Sequence, residues 1–410
     1  MQHLLLLPLV IALTFGQPPL RYDNFQVHRL LPQNTEQLQA IHQIQQSYHE
    51  LNFWKDISKV GEHVDIMVPP NLKHRFKDVV HFYNLSTEIF VENVQELIDR
   101  ESLLYTKPEE GFNWRNYHSL DKIYQWMKSL PQLYPGRVST IVGGKSYEGR
   151  QILGVKISFK PGNKGVFLEG GIHAREWIAP ATVTYIANQL LTSNDSNVRA
   201  VAESRDWYVF PVFNPDGYVY TRTDRMWRRT RKPYGSCYGA DPNRNWGYHW
   251  MNGGASSTPC RDTFAGSSAF SEIETKSLSK FISSIADKLD AYIGFHSYSQ
   301  LLLIPFGHAG REVPSNNKEL LRIGRNAARV LAKRYGTKYT VGNIPEVIYV
   351  ASGGSSDWVL GTHRHIRLAY TYELRDTGRH GFILPPEQII PTGEETLDSI
   401  VSIFQQADAS

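Results

Sequence analysis

The sequence predicts an α/β fold: a mixed, mostly parallel central sheet flanked by helices, preceded by a small α+β unit with a ferredoxin-like order. From about residue 112, short apolar runs alternate with helix-length segments, which is the order of elements in α/β domains. Before residue 100, strand-like and helix-like segments follow one another in shorter pieces. The length of 410 residues also favours two domains over one.

The amino-terminal unit is predicted over residues 17–100. Strand-like alternation covers residues 22–30, 63–68 and 86–91, and helix-compatible segments cover residues 34–49, 72–82 and the stretch before Asp99. We expect the last of these helices to end at Arg100. The polar segment 101–111 then predicts an exposed linker, so the Arg100–Glu101 bond is a candidate for cleavage by a trypsin-like protease. An ordinary interdomain linker that is never cut is the alternative.

The second unit is predicted over residues 101–410. Its strands are expected at residues 152–157, 165–169, 207–213, 289–295 and 366–374, and its helices at residues 119–130, 180–191, 272–287 and 317–334. Ser271 and Glu274 predict a capping box at the start of the third helix. Pro180 suits the first turn of the second helix.

Composition and charge restrict the class of protein. A hydrophobic content of 41% and a charged content of 20% are typical of a soluble globular chain. The net charge of +4 is too small to indicate a nucleic-acid or membrane partner. The apolar run 4–13, followed by small residues, predicts a signal peptide over residues 1–16 and a secreted, extracellular protein, although no positive residue precedes the run.

Two features fit a secretory compartment. Cys237 and Cys260 are the two cysteines of the chain, and in an oxidising environment we expect them to pair. Two buried free thiols are the alternative. Asn84 and Asn194 each begin a short motif for N-glycosylation.

Three residues suggest a metal site. His173 and Glu176 are three positions apart and follow an apolar run and the Gly170-Gly171 pair, while His296 follows a second apolar run. In open α/β sheets, ligands bind outside the carboxyl ends of the strands, where these side chains are expected. Two His and one Glu are a ligand set that zinc accepts while a fourth position stays open. The sequence therefore predicts one Zn²⁺ ion, although most histidines have packing or surface roles.

Two carboxylates could complete such a site. Glu373 lies between aromatic and aliphatic residues of a predicted strand, where an acidic side chain is costly unless it is solvated or functional. Beside a metal, it could take a proton from water and deliver it to a leaving amine. A salt bridge to Arg367 or Arg375 is the alternative. Asp241 is expected to orient a liganding imidazole through its second nitrogen.

Six stretches together carry a family resemblance: residues 173–177, 214–218, 225–228, 241–245, 293–298 and 372–378. Through them the chain resembles, over essentially its whole length, secreted zinc metallocarboxypeptidases of the pancreatic A/B type, which are made as proenzymes. It is closer to the A type. The resemblance implies zinc-dependent hydrolysis of the C-terminal peptide bond of peptides and proteins.

The resemblance also implies roles for further residues. Asn243, Arg244 and Tyr349 would hold the terminal carboxylate, for which a guanidinium fork is well suited. Arg228 would stabilise the oxyanion of the tetrahedral intermediate. Arg175 and Tyr298 would contact residues farther along the peptide.

The family pattern puts Ser356 at the floor of the pocket for the terminal side chain. B-type enzymes carry an acidic residue there, and A-type enzymes a bulky aliphatic one. The other matching wall positions are small, apolar and uncharged: Gly294, Leu303, Gly307, Ile344, Ile348, Ala351 and Thr371. The pattern therefore implies release of neutral apolar or aromatic residues, from a pocket that Ser356 makes deeper or slightly more polar.

By the same resemblance, residues 17–100 would be an inhibitory prosegment that covers the cleft until cleavage near Arg100. The protein is expected to be a monomer whose partners are peptide C-termini, its own prosegment and the activating protease. Two alternatives remain: a zinc deacylase acting on small N-acyl amino acids, and an inactive relative that only binds peptides. No residue that catalysis requires is missing from the motifs.

Overall fold

The computed structural model describes residues 18–57, 59–103 and 111–409. The amino-terminal unit has strands β1 (Gln26–Leu31), β2 (Asn52–Lys55), β3 (Val64–Val68) and β4 (Ser86–Val91), and helices α1 (Thr35–Ser47), α2 (Lys73–Phe82) and α3 (Val94–Leu103). The strands form one antiparallel sheet in the order β2-β3-β1-β4. This unit is the predicted small α+β arrangement.

The small unit has its own apolar core. Ile41 and Ile44 of α1 and Phe76 and Val80 of α2 pack against the sheet. The side chain of Asn34 caps α1 by accepting a hydrogen bond from the Gln37 amide at 2.9 Å.

The end of α3 differs from the prediction. The helix continues through Arg100 to Leu103, because the side chain of Glu101 is buried against the second unit and holds this turn in place. The Arg100–Glu101 bond therefore lies inside a helix rather than at its end.

The second unit contains an eight-stranded sheet in the order β13-β12-β14-β11-β7-β8-β6-β5. Its strands are β5 (Val138–Lys145), β6 (Gln151–Ile157), β7 (Lys164–Gly170), β8 (Arg205–Phe210), β11 (Leu289–Ser297), β12 (Leu301–Ile304), β13 (Thr340–Asn343) and β14 (Leu368–Leu374), with a short hairpin of β9 (Pro233–Tyr234) and β10 (Cys237–Tyr238). The central strands β14, β11, β7 and β8 are parallel, as are β12 and β13. The remaining neighbours are antiparallel, which confirms a mixed, mostly parallel sheet.

Helices cover both faces of this sheet. They are α4 (Leu120–Leu133), α5 (Ile178–Thr192), α6 (Ser196–Glu203), α7 (Pro215–Tyr220), α8 (Ile273–Ile285), α9 (Asn317–Tyr335), α10 (Ile344–Val347), α11 (Ser355–Thr362) and α12 (Ile389–Asp408). The larger core lies on the face covered by α4, α5, α9 and α12, and receives Ile293 and Phe295 of β11. Tyr292 belongs to the core of the opposite face, with α8 and α11. Since side chains alternate along a strand, Gly294 and His296 share that second face.

The predicted capping box of α8 is wrong. Glu272, not Ser271, is the N-cap residue, and no side-chain capping bond starts from it. Ser271 Oγ instead accepts a hydrogen bond from Asn245 at 3.0 Å, and Glu274 accepts one from the Tyr147 amide at 2.9 Å. Hydrogen bonds to residues from distant segments therefore replace those of a capping box. The Glu272 amide, for example, donates to Asn245 Oδ1.

Cys237 and Cys260 form a disulfide, as predicted. Asn84 and Asn194 both lie at exposed positions. Within the described residues, none of the helices has the length and apolar character needed to cross a bilayer. The predicted signal peptide 1–16 and linker residues 104–110 lie outside the described residues.

Candidate active site

The three predicted metal ligands come together at the carboxyl ends of β7 and β11. Gly171, with φ of 65°, turns the chain after β7 and leads into the segment that carries His173 and Glu176. His173 Nδ1 lies 2.8 Å from Glu176 Oε1 and 3.1 Å from His296 Nδ1. His296 Nδ1 lies 3.2 Å from Glu176 Oε2, so all three side chains meet at one point.

The donor chemistry fits a divalent cation at this point. His173 Nε2 lies 3.1 Å from Asp241 Oδ1, and a carboxylate can only accept, so His173 carries its proton on Nε2. Its Nδ1 lone pair then faces the Nδ1 atom of His296. Two imidazole nitrogens and a carboxylate about 3 Å apart match the spacing around zinc, whose bonds to N and O are about 2.0–2.2 Å. Asp241 is thus in position to orient His173, the role that the sequence predicts for it.

Electrostatics at the cluster favour positive charge. Burial alone would raise the pKa of Glu176, but the charges and hydrogen bonds of His173 and His296 outweigh it and hold this pKa far below its usual range. Burial opposes protonation of His296, yet the hydrogen bond to Glu176 raises the pKa of His296 to about 9. The site therefore attracts a proton where a metal cation would sit.

A second group of potential ligands, His249, His308 and Glu312, has a different character. The Gly310 amide donates to His308 Nδ1 at 3.1 Å, so His308 carries its proton on Nε2, 3.2 Å from Glu312 Oε2. The His249 ring stacks on that of His308 at 4.0 Å. His308 Nε2 has no lone pair to give a metal, and the group is a hydrogen-bonded His–Glu pair.

Glu373 lies on β14 directly opposite His296 in the strand register. The proposed salt-bridge alternative is wrong, because Arg375 pairs with Glu395 and Arg367 pairs with Glu319. Burial, reinforced by the charge of Glu176, raises the pKa of Glu373 to about 8 in the metal-free protein. A carboxylate with a raised pKa beside the ligand cluster is suited to general acid–base work.

Arg228 is held at the same site by Asp241. The Arg228 Nε and Nη2 atoms donate to Asp241 Oδ2 at 3.1 and 2.7 Å, and Nη1 lies 3.8 Å from Glu176 Oε1. Arg228 and His173 hold the pKa of Asp241 well below its usual range, although burial opposes them. One carboxylate thus positions both a candidate metal ligand and a candidate oxyanion donor.

Asn243, Arg244 and Tyr349 form a second polar group. Arg244 donates from Nε to the Gly254 carbonyl at 2.8 Å, and its guanidinium lies 5.8 Å from the centre of the Tyr349 ring. Asn243 Oδ1 accepts the Ser355 amide hydrogen bond at 2.9 Å, which ties this loop to the start of α11. Ser356, in the first turn of α11, is buried, and the neighbouring Asp357 accepts a hydrogen bond from the Gly307 amide.

Residues of the amino-terminal unit form hydrogen bonds with the side chains of Arg175 and Tyr298. Arg175 Nη1 donates to Asn52 Oδ1 at 3.0 Å, and the Tyr298 hydroxyl donates to Asp65 Oδ2 at 3.0 Å. Trp54 of β2 packs against Phe382 at 5.5 Å between ring centres. The two residues expected to contact substrate are therefore bound to the small unit.

One contact residue was missed by sequence reasoning. Glu101 forms a buried ion pair with Arg225, at 2.6 Å from Nε to Oε2 and 2.9 Å from Nη2 to Oε1. Arg225 also donates to the carbonyls of Arg175 and Phe382, both at 2.8 Å. The position of Arg225 within the motif at residues 225–228 was the only feature of the sequence that pointed to this contact.

Comparison with known proteins decides the family. A family model described as zinc carboxypeptidase matches residues 123–399, and one described as carboxypeptidase activation peptide matches residues 28–101. The chain belongs to the zinc carboxypeptidase family. It is an enzyme of that family with an activation peptide, and the family's name implies zinc as its metal.

Similar proteins extend over nearly the whole chain. Zinc carboxypeptidase A 1 of Anopheles gambiae is 49% identical over 395 residues, which cover 95% of this chain and 91% of that protein. Carboxypeptidase A2 of Rattus norvegicus is 40% identical over 391 residues, covering 93% of each. The crystal structure of carboxypeptidase A from Helicoverpa armigera superposes with a TM-score of 0.87 at 29% identity, covering 95% of this chain and 98% of that one.

Proposed function

We propose that the protein removes neutral apolar or aromatic residues from the C-termini of peptides and proteins, after release from an inactive precursor. The convergence of His173, Glu176 and His296 beside Glu373 and Arg228 carries this proposal. His173, Glu176 and His296 would hold a single Zn²⁺ ion. When bound, zinc supplies a Lewis acid that polarises a carbonyl and lowers the pKa of water.

Arg244, Asn243 and Tyr349 would fix the terminal carboxylate of the substrate. The Arg244 guanidinium can make a bidentate contact, and the side chains of Asn243 and Tyr349 can add hydrogen bonds. An anchor for the terminal carboxylate would select the last peptide bond. Arg175 and Tyr298 would contact the preceding residues once the small unit has left.

Glu373 would take a proton from the attacking water and later deliver it to the leaving amine. Burial raises the pKa of Glu373 when no cation is bound, and the charge of a bound Zn²⁺ would lower it again, so that the carboxylate can accept a proton from water. Arg228, held by Asp241, would donate to the oxygen that becomes negatively charged at the scissile carbonyl.

The pocket for the terminal side chain would have Ser356 at its floor. Ser356 brings no charge, and Asp357 is turned towards the Gly307 amide. A neutral pocket discriminates among apolar side chains weakly, by about 1–3 kcal/mol for each methylene. Residues 17–100 would be the prosegment, the precursor would be secreted as a monomer, and a trypsin-like protease would cut after Arg100.

A product scan tests the proposed function. Activated protein is incubated with peptides that differ only in the last residue, and the released amino acids are quantified. Phe, Tyr and Leu are expected first. Preferential release of Lys or Arg would contradict the role of Ser356, and cleavage limited to small N-acyl amino acids would favour a deacylase.

A Glu373→Gln variant tests the base. It is expected to keep zinc but to lose activity by about 10²–10⁴-fold, the range for a general base. Glu395→Gln on α12 is the matched control for the proton-transfer role, because Glu395 pairs with Arg375 outside the cluster. Full activity of Glu373→Gln would refute its role.

A further inference from the structure

One buried carboxyl group, that of Glu169, has no role in the reaction described above. Glu169 is the penultimate residue of β7 and is fully buried. Its Oε1 accepts a hydrogen bond from the Tyr292 hydroxyl at 3.2 Å, whereas Oε2 has no hydrogen-bond partner within 3.5 Å among the described residues, although the Ser355 hydroxyl is near enough to lower the pKa of the group. Such a buried, unsatisfied oxygen costs about 1–3 kcal/mol.

The strand register puts Glu169 in line with the pocket wall. Leu303 on β12 pairs with Thr371 on β14, Thr371 pairs with Gly294 on β11, and Gly294 pairs with Glu169 on β7. Paired residues of neighbouring strands project from the same face of a sheet. The three wall positions are therefore one continuous row, and Glu169 is its next member.

Gly294 leaves space for this carboxyl group. A Cβ atom placed on Gly294 would lie 2.8 Å from Glu169 Oε1 and 3.9 Å from Thr371 Oγ1. The carboxyl group of Glu169 thus occupies the space beside Gly294 that a side chain at position 294 would fill, on the side of the sheet where the buried Thr371 also lies. Any larger residue at position 294 would displace it.

We infer that Glu169 is a specificity-determining residue of the terminal side-chain pocket, favouring C-terminal residues that bring a hydrogen-bond donor to its wall. The substrate class is a C-terminal tyrosine, preferred over the otherwise similar phenylalanine. This inference rests on the proposed function, because it requires the pocket lined by Gly294, Thr371 and Ser356.

Apart from Glu169, the wall positions Gly294, Thr371 and Ser356 carry no charge, which favours a neutral donor over a cation. Burial raises the pKa of Glu169 to about 7, against the smaller opposing effects of His296 and the Tyr292 hydrogen bond. A carboxyl group accepts a hydrogen bond in either protonation state. A phenol can donate a hydrogen bond to this carboxyl group, whereas the ring of phenylalanine has no donor.

The test compares kcat/KM for peptides ending in Tyr, Phe and 4-methylphenylalanine, which replaces the hydroxyl by a methyl group. Activated wild-type protein is expected to favour Tyr by roughly 3- to 10-fold over both, the range for one net hydrogen bond. Glu169→Met is expected to lower the Tyr-to-Phe ratio to about 1, and Glu169→Gln, which keeps an acceptor, to leave it above about 3. Glu274→Gln is the matched control, because Glu274 is another buried glutamate, on α8, and this variant is expected to keep the wild-type Tyr-to-Phe ratio.

Equal release of Tyr and 4-methylphenylalanine by the wild type would overturn the inference, even if Glu169→Met does not fold. So would an unchanged Tyr-to-Phe ratio in a folded Glu169→Met variant. Failure of the proposed function looks different, because the wild type would then release none of the three terminal residues.

Discussion

Breaking the buried ion pair between Glu101 and Arg225 should expose the proposed activation bond to trypsin. The Arg100–Glu101 bond lies inside α3, with Arg100 exposed and Glu101 only 4% exposed. A protease must bind an extended chain, so cleavage requires this turn to unwind and Glu101 to leave Arg225. The ion pair therefore contributes to the free energy of local opening.

The size of the effect on local opening depends on which contacts Arg225 keeps in a Glu101→Ala variant. The guanidinium keeps the carbonyls of Arg175 and Phe382 and the Trp177 ring at 3.8 Å, but loses its only carboxylate partner among the described residues. Removing one partner of a buried ion pair costs about 3–5 kcal/mol. At the lower value, local opening becomes roughly 150-fold more frequent, since 1.4 kcal/mol is tenfold.

The assay measures the rate of tryptic cleavage after Arg100 by mass spectrometry. Each rate is divided by that of a synthetic peptide of residues 94–110 with the same substitution, which corrects for the altered residue after the cleaved bond. When opening and closing are fast, the ratio reports the open population. Glu96→Ala, at an exposed position of α3, is the matched control and should leave the ratio unchanged. A change of less than about threefold for Glu101→Ala would refute the role of the ion pair.

Three further outcomes are expected. In steady-state kinetics, Arg228→Met should lower kcat by about 10²–10³-fold with a small effect on KM. A change confined to KM would contradict the role of Arg228 in stabilising the oxyanion. Removing metal with a chelator should abolish activity and lower Tm, with zinc restoring both, whereas activity retained in metal-free protein would rule out the metal site. Burial raises the pKa of Glu274 to about 7, so the folded protein keeps a proton that the unfolded chain loses above pH ~4.5, and stability falls as the pH rises between these values. The free energy of unfolding in urea should therefore rise for the Glu274→Gln precursor relative to the wild type, by up to about 3 kcal/mol between pH 4.5 and pH 8. A difference between the two proteins that stays constant with pH would contradict this.

Periodicity predicted the central strands and most of the long helices, and missed several short elements, the edge strand β5 and helix α12. The central strands and helices α5 and α9 have clear apolar patterns, whereas the α1 segment is polar and was predicted only as helix-compatible. Strand β2 has four residues and β12 has four, too few for alternation to stand out from the neighbouring sequence. Helix α12 was missed although it has twenty residues, since Pro391 and Gly393 in its first turns resemble a helix stop.

The candidate site was predictable where it depends on strand ends, and not where it depends on contact between the two units. His173, His296 and Glu373 each follow or end an apolar strand, and the topology of parallel strands brings such positions together. Asn52 and Asp65 lie on strands of the small unit without any distinguishing pattern. Their partners are set by how two folded surfaces fit, which no local sequence signal encodes.

The register of one sheet links the chemistry of the site to its specificity. His296 pairs with Glu373, and two residues earlier on the same strands Gly294 pairs with Thr371. Two residues along a strand span about 6.6 Å, so the catalytic row and the pocket row are separated by a fixed distance on a single face. If the proposed roles hold, a substitution in the pocket row, such as one at Glu169, would change which terminal side chain is accepted while the strands still hold the proposed catalytic row in place.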